Sequence, residues 1–411
     1  MATETVNRVK SDYKEIVKAT VPILQERGAE ITARFYQLLF QNHPELKNIF
    51  NQTNQRKGDQ SVALANMVYA AALHIDNLAE IIPQVMPVAH KHTSLNIKPE
   101  YYPIVGENLL MAMRQVLGEE VATDEVIAAW EIAYGEIAAA FIGIEKEMYA
   151  ENVKKGGWTD YKDFKVVDKV KESDVITSFY LEPADGGKLP TFKPGQYVTV
   201  KADIDGEDYT HQRQYSLSCA PNEKTFRISV KREDPIGENP AGIVSNYLHR
   251  DVEEGSILSL SCPSGDFVLD MNDTRPLILL SGGVGLTPMM SMLESALIWQ
   301  PEREVLFIHA ARSGKFHAMK ERLQEVTKTC KQVTSYTVYD HPTETDAGQF
   351  DREGFIDAAF LKDVLPTNDA AFYFCGPKGF MRAMYQNLKS LDVAEDDIHF
   401  EIFGPATDIK G

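Results

Sequence analysis

Leu277-Ile-Leu-Leu-Ser-Gly-Gly-Val-Gly-Leu-Thr-Pro288 decides how the last third of the chain reads. Four unbroken apolar residues suit a strand covered on both faces. The glycines then force a tight turn, and Thr287 and Pro288 open a helix, with Thr287 as its cap. Gly283 and Gly285 let backbone approach a pyrophosphate, and the helix start favours its charge. Val284, Leu286, Thr287 and Pro288 complete this candidate loop, which departs from the usual dinucleotide fingerprint at its third glycine, where Pro288 stands. Two further apolar runs, Val305 to Ile308 and Ala371 to Phe374, alternate with helix-like segments, the pattern of a parallel sheet built from βαβ units. Cys375-Gly376-Pro377 closes the second run at the same sheet edge. The uncharged stretch from Pro276 to Leu293 has the length of a membrane span, but its glycines and Pro288 fit a strand, a turn and a helix better.

Upstream the pattern changes twice. Phe226-Arg-Ile-Ser-Val-Lys231 alternates apolar and polar strictly, which predicts an antiparallel strand with one wet face. Before it, up to about Ala150, apolar residues recur every three or four positions and prolines sit where helices could begin or end. Lys154-Lys155-Gly156-Gly157 punctuates the two regimes. The expected organisation is multidomain: an all-α domain (1–150), a linker (151–158), an antiparallel β-barrel domain (159–270) and an α/β parallel-sheet domain (271–411).

The whole chain has 411 residues, 44% of them hydrophobic and 25% charged, which excludes a single small module and wholesale disorder. Its 42 basic and 60 acidic residues leave a net charge of −18, unsuited to phosphate backbones and anionic lipid. Nucleic acid is therefore not an expected partner. Cys219, Cys262, Cys330 and Cys375 lie too far apart for a zinc knuckle, a dithiol centre or an iron–sulfur site, and read as thiols of a reduced, intracellular chain. Met1 to Lys18 carries too many charges for a signal peptide.

Four polar residues interrupt apolar helical stripes in the first domain. Val85, Val88, Ala89 and His92 share one face, so His92 points to the core and His90 away from it. Gln60 shares a stripe with Leu64, Met67 and Ala71. Tyr102 lines up with Val105, Leu109 and Met113, and Glu145 with Tyr134, Ala138, Phe141 and Met148. A buried polar group costs several kcal/mol unless it is paired, so something must compensate them. Taken singly, each also fits an ordinary satisfied core residue, and periodicity alone names no cofactor.

The runs Arg34-Phe-Tyr36, His43-Pro-Glu-Leu-Lys-Asn-Ile-Phe50, Asn54-Gln-Arg-Lys-Gly-Asp-Gln60, Lys91-His-Thr-Ser94 and Ile97-Lys-Pro-Glu-Tyr-Tyr-Pro-Ile-Val-Gly106 resemble the globin domain of the flavohaemoglobins. The likeness extends over the whole chain. By that resemblance His92 is the proximal ligand of the iron of haem b, Phe50 packs on the haem face with Leu64 and Lys91 also at the cofactor, and Tyr36 and Gln60 form the distal pocket with Leu64. His92, Tyr102 and Glu145 would make a proximal charge relay, since a carboxylate on the second imidazole nitrogen gives the ligand anionic character.

Two motifs of the β domain resemble the flavin signature of the ferredoxin-reductase-like family. Arg213-Gln214-Tyr215-Ser216 supplies a guanidinium for a diphosphate, a ring for the isoalloxazine and a hydroxyl near its N5. Phe192-Lys-Pro-Gly-Gln-Tyr197 adds Tyr197 to the cofactor. Gly242-Ile-Val244-Ser245 opens a helix, with Ser245 as its cap and amides for the diphosphate. The loop from Asp234 to Asn239 is longer than is typical of bacterial members. By the same resemblance Cys375, Gly376 and Pro377 lie at the nicotinamide, and the tail Glu401-Ile402-Phe403-Gly404-Pro405 brings Phe403 over the flavin and Glu401 beside it. Arg312 fits a 2′-phosphate or a plain surface position equally well.

The resemblance implies a nitric oxide dioxygenase: NADH or NADPH reduces FAD, FAD reduces haem, and haem-bound O2 converts nitric oxide to nitrate. It also implies a cytoplasmic monomer without stable membrane insertion. Two alternatives stay open, a globin sensor of O2 or nitric oxide with an attached reductase, and a flavin or ferric reductase with a vestigial globin.

Overall fold

A computed structural model describes residues 2–50, 59–237, 239–404 and 409. By the density of its internal contacts the chain forms two compact units. The first holds Met1–Lys154, Trp158–Asp160 and Asp203–Gln212; the second holds Lys155–Gly157, Tyr161–Ala202 and Arg213–Gly411.

The first unit is helical. Its helices are α1 (Ala2–Ala19), α2 (Val21–Asn42), α3 (Asp59–Leu73), α4 (Ile82–Ser94), α5 (Tyr101–Leu117) and α6 (Asp124–Lys154). Pro22 and Pro83 stand in the first turns of α2 and α4, where a missing N–H is harmless. Pro87 departs from the expected boundary positions and lies inside α4, one turn after its start, where the ring removes a single bond to the first turn. The core gathers Val17, Leu39, Ala112, Met113, Ala129 and Ala133, all essentially without exposure. α6 is long and apolar enough to cross a membrane by length and composition; its Ala129, Trp130, Ala133, Ala138 and Phe141 are buried among the helices. Gly106 lets α5 and α6 approach, because a Cβ there would lie 2.4 Å from the Tyr134 ring. The Tyr134 hydroxyl donates to the Tyr102 carbonyl at 2.6 Å, so the two helices are pinned beside Tyr102. Within this unit Asn48 Oδ1 accepts from the Thr210 amide at 2.9 Å.

The second unit carries two six-stranded sheets. The antiparallel one is built from β1 (Lys162–Lys171), β2 (Ile176–Pro183), β3 (Tyr197–Ala202), β4 (His211–Ser216), β5 (Phe226–Lys231) and β6 (Ile257–Leu260), in the order β4-β3-β6-β1-β2-β5. A bridge between Leu217 and Ile228 joins the ends of the two outer strands. Phe164, Val166, Phe179, Leu181, Val198, Phe226 and Ile228 fill its interior.

The wet face expected of Phe226–Lys231 is not wet. Arg227 is only 8% exposed, Ser229 bonds to Ser178 and Ser218, and Arg227 reaches Glu294 at 3.2 Å. Alternation records which side chains are polar; it does not record what covers them.

The parallel sheet follows the expected βαβ plan, with order β10-β9-β8-β7-β11-β12. β7 (Leu277–Gly282) lies between β8 (Val305–Ala311) and β11 (Ala371–Cys375), with β9 (Val333–Tyr339) and β10 (Arg352–Glu353) on one side and β12 (Ile398–Glu401) on the other. Helix α7 (Ile243–Arg250) belongs to the antiparallel part, and α8 (Leu286–Trp299), α9 (Lys320–Thr329), α10 (Ala358–Val364) and α11 (Lys378–Ser390) to the parallel part. The strand order reverses between β7 and β11, which makes the carboxyl ends of these two strands the crevice of the sheet.

Gly106→Ala should destabilise the helical unit by about 1–2 kcal/mol, because overpacking against Tyr134 outweighs the gain in helix propensity. Urea denaturation followed at the helical circular-dichroism band measures it.

Candidate functional site

Three of the four polar side chains that interrupt the helical stripes meet: His92, Tyr102 and Glu145. Glu145, 3% exposed, accepts from the Tyr102 hydroxyl at 2.6 Å, and the same oxygen lies 2.7 Å from His92 Nδ1. Tyr102 and His92 are themselves 3.2 Å apart. Burial, and then Glu145, push the Tyr102 phenol far above its ordinary range, so it stays protonated and donates. A carboxylate on Nδ1 fixes the imidazole proton there and leaves the Nε2 lone pair free. No side chain among the described residues meets Nε2, which is what a metal-bound histidine requires. Lys91 is half-buried with no acidic partner among the described residues, and burial pulls its ammonium below the usual lysine range. A buried cation of this kind fits an anionic group on a bound cofactor. Tyr36 is buried, its ring against Phe50 at 5.7 Å and Phe40 at 6.0 Å, and Leu64 and Gln60 lie half-buried on α3. Of the run Asn54 to Gln60, the part before Asp59 lies outside the described residues.

In the second unit Arg213, Gln214 and Tyr215 sit half-buried along β4, and Tyr197 opens β3 with its ring against Gly265. Burial lowers the Arg213 pKa and raises that of Tyr215. The Ser216 hydroxyl is buried with no hydrogen-bond partner among the described residues, as is Oε2 of Glu401. Such orphaned polar atoms fit the polar edge of a cofactor. Gly242, not Ser245, caps α7; Ser245 lies one turn inside, accepts from the Glu233 amide and donates to the Gly242 carbonyl, while Val244 is buried. Glycine needs no side chain to leave the first amides open.

At the parallel sheet Gly285 caps α8 and Thr287 stands at its second position, its hydroxyl turned back to the Val284 carbonyl, so the expected threonine cap is a glycine cap. Leu286, Thr287 and Pro288 are buried. Gly283 has φ +55°, and a Cβ on Gly285 would lie 2.1 Å from the Cys375 carbonyl oxygen. Backbone therefore touches backbone where the ends of β7 and β11 meet, with Gly376 and Pro377 leading into α11. Cys375 is fully buried, and burial and then Glu401 hold its thiol well above the ordinary value. A thiol held neutral in this way is a poor nucleophile, since the thiolate is the reactive form. Glu401 pairs with Cys375 in register, and burial pushes its carboxyl up to about 8. Ile402 is half-buried, Phe403 is 47% exposed, Gly404 follows at φ +151°, and Pro405 lies outside the described residues.

Two polar constellations escaped the sequence reading. Arg227 with Glu294 is one. The other joins Ser281, His309, His317 and Tyr339, all buried. The sole signal for the second was a pair of histidines flanking the end of one strand.

A globin-type helical core with a free imidazole nitrogen, followed by flavin-type and nucleotide-type sheets, defines an oxidoreductase. The family models agree: Globin over residues 33–141, Oxidoreductase FAD-binding domain over 163–269 and Oxidoreductase NAD-binding domain over 279–386. The flavohemoprotein of Oceanobacillus iheyensis is 59% identical over 392 residues, covering 95% of both chains, and that of Bacillus subtilis 50% identical over 394 residues, covering 95% of this chain and 96% of that protein. The crystal structure of the Malassezia yamatoensis flavohemoglobin, with FAD and haem bound, superposes with a TM-score of 0.81 at 27% identity, over 96% of this chain and 99% of that one. The FAD/NAD-binding domain of the Vibrio cholerae nitric oxide dioxygenase, 38% identical, matches 60% of this chain and all of that one with a TM-score of 0.55. The chain belongs to the flavohemoprotein family, with a globin and an FAD- and NAD-binding reductase in one polypeptide.

Glu401 makes a pH test. Its folded carboxyl titrates near 8 against an ordinary value of 4.5, so the folded state binds more protons between these values and stability falls as pH rises through that window. In flavin-free protein, Glu401→Gln should therefore gain stability over the parent between pH 5 and pH 8, measured by urea unfolding at both.

Proposed function

We propose that this chain is a nitric oxide dioxygenase, and that the carboxylate-held imidazole of His92 carries the reading. Nicotinamide, flavin and haem, when bound, supply hydride transfer, its division into single electrons, and the oxygen chemistry that turns nitric oxide into nitrate. The chain's own residues hold and tune these groups. His92 would offer Nε2 to the iron of a haem b, while Glu145 keeps the proton on Nδ1 and lends negative charge to the ligand. Tyr102 donates to the same carboxylate and fixes its orientation. Lys91 would meet an anionic edge of the haem, Phe50 and Leu64 its apolar face. Tyr36 is the hydrogen-bond donor of the distal side, with Gln60 beside it. The complete relay argues against a vestigial globin.

In the reductase, Arg213 would grip the flavin diphosphate together with the amides after Gly242 and around Val244 and Ser245. Tyr197, Gln214 and Tyr215 would flank its ring system, and the orphaned Ser216 hydroxyl would find a partner there. Gly283, Val284, Gly285, Leu286, Thr287 and Pro288 would cradle the nucleotide pyrophosphate. Cys375, Gly376 and Pro377 would border the nicotinamide, and the tail from Glu401 through Ile402, Phe403 and Gly404 to Pro405 would cover the flavin. The bridge between the outer strands of the antiparallel sheet supports a barrel. Boundaries at 1–150, 151–158, 159–270 and 271–411, a cytoplasmic monomer, no nucleic-acid partner and no stable membrane insertion complete the proposal. The end of α6 at Lys154 and the charge of −18 support the first boundary and the exclusion of nucleic acid.

An electrode trace should show rapid loss of nitric oxide that needs both O2 and NAD(P)H, with two nitrates formed per nicotinamide oxidised, as the electron count demands. His92→Ala should abolish haem retention and this activity while leaving the flavin absorbance in place. Haem retained in that variant would overturn the ligand assignment. Slow, O2-independent consumption by the parent protein would favour the reductase alternative.

A further inference from the structure

Ser291 and Glu294 stand three apart on one face of α8, the helix that the glycine turn opens, and both bond to the antiparallel part of the same unit. The Ser291 hydroxyl donates to the Cys219 carbonyl at 2.7 Å, and the Ala220 amide donates to Glu294 Oε2 at 3.2 Å. Cys219 and Ala220 continue the chain of β4 beyond Ser216, so the strand with the flavin motif is tied to the helix behind the nucleotide turn. Between Ser291 and Glu294, Met292 comes so near the turn before Tyr197 that a Cβ on Gly195 would lie 2.7 Å from its methyl carbon.

Glu294 Oε1 accepts from Arg227 at 3.2 Å. The same terminal nitrogen of Arg227 donates to the Ser218 carbonyl, and its Nε donates to the Ser218 hydroxyl at 3.1 Å. The guanidinium stands 5.9 Å from the centre of the Tyr180 ring, its partner across the ladder of β2 and β5. Arg322 of α9, more exposed, approaches Glu294 Oε1 at 3.5 Å. Arg227 alone therefore joins β5, the extension of β4 and α8.

A buried ion pair is not the most stable way to cover such a joint. Both charges lose water, and apolar residues of similar volume often do as well or better. What an apolar contact lacks is direction, whereas a planar guanidinium fork fixes angle and register. Direction matters because the proposed hydride transfer crosses this joint. The C4–H bond of the reduced nicotinamide breaks, and its hydrogen and electron pair form the N5–H bond of the flavin, so one ring is oxidised as the other is reduced. A misplacement of about 1 Å costs on the order of 10²-fold in a step of this kind.

We infer that Arg227 and Glu294 are positioning residues for hydride transfer: the pair sets the nucleotide helix against the flavin strand and governs the rate of flavin reduction, not the affinity for nucleotide. The inference rests on the flavin and nucleotide sites proposed above. Its test compares the parent with Glu294→Gln and, separately, Arg227→Lys, as holoenzymes matched in haem and flavin absorbance. The limiting rate of anaerobic flavin reduction by NADH or NADPH should fall about tenfold or more in each variant, while the half-saturating nucleotide concentration stays within about threefold. The long-wavelength absorbance of nicotinamide stacked on flavin should weaken in parallel. Hydrogen exchange, a readout apart from activity, should quicken at 217–222 and 286–299. A limiting rate within about twofold of the parent in both variants overturns the assignment, as does a defect confined to half-saturation or to the urea midpoint, and the two cofactor sites then stand. A parent flavin reduced by neither nucleotide overturns the site reading beneath it.

Discussion

A carboxylate with almost no solvent contact is the constraint on which the helical half depends. Glu145 is satisfied there by the Tyr102 hydroxyl and the His92 imidazole, which turn hydrogen-bond donors toward it. The tight approach of α5 to α6 at Gly106 and the bond from Tyr134 to the Tyr102 carbonyl follow from the same need, since both bring the phenol within reach. The imidazole is oriented as a by-product. Among the described residues no side chain meets its second nitrogen, on the side away from the carboxylate.

The reductase half works from the opposite condition. There several polar atoms lie buried without partners among the described residues, the Ser216 hydroxyl and one oxygen of Glu401 included. A protein that left such groups unmet for no purpose would lose about 1–3 kcal/mol at each. They mark the surfaces that a planar, many-edged cofactor would complete. Burial, and then Asp266, keep Glu401 largely protonated near neutral pH, and burial, and then Glu401, keep the Cys375 thiol neutral, so these two groups carry little charge.

Much of this was legible in the sequence because it rests on local physics. The unbroken apolar run at Leu277 and the glycines after it could only be a covered strand and a close turn, and the stripe through Val85, Ala89 and His92 singled out the histidine that bonds to Glu145, although His90 and His92 are both half-buried. What escaped depends on contacts between distant segments. Arg227 lies on a strand whose alternation promised water, and Glu294, on a helix in the other sheet layer, covers it instead. The caps at Gly242 and Gly285 were assigned to neighbouring hydroxyl residues, since a threonine or serine signals a helix start strongly while a glycine leaves no side-chain trace. Pro87 stands inside a helix because a single lost bond near its start is tolerated.

The contact of Gly285 with the Cys375 carbonyl has one more consequence. Where main chain lies directly against main chain, no side chain remains to vary, so neither mutational drift nor oxidation can reshape that wall without prising two strands apart. Laboratory evolution aimed at a different electron donor would find its freedom only at the rim, on the turns beyond β8 and β9, while the floor of the crevice keeps its geometry.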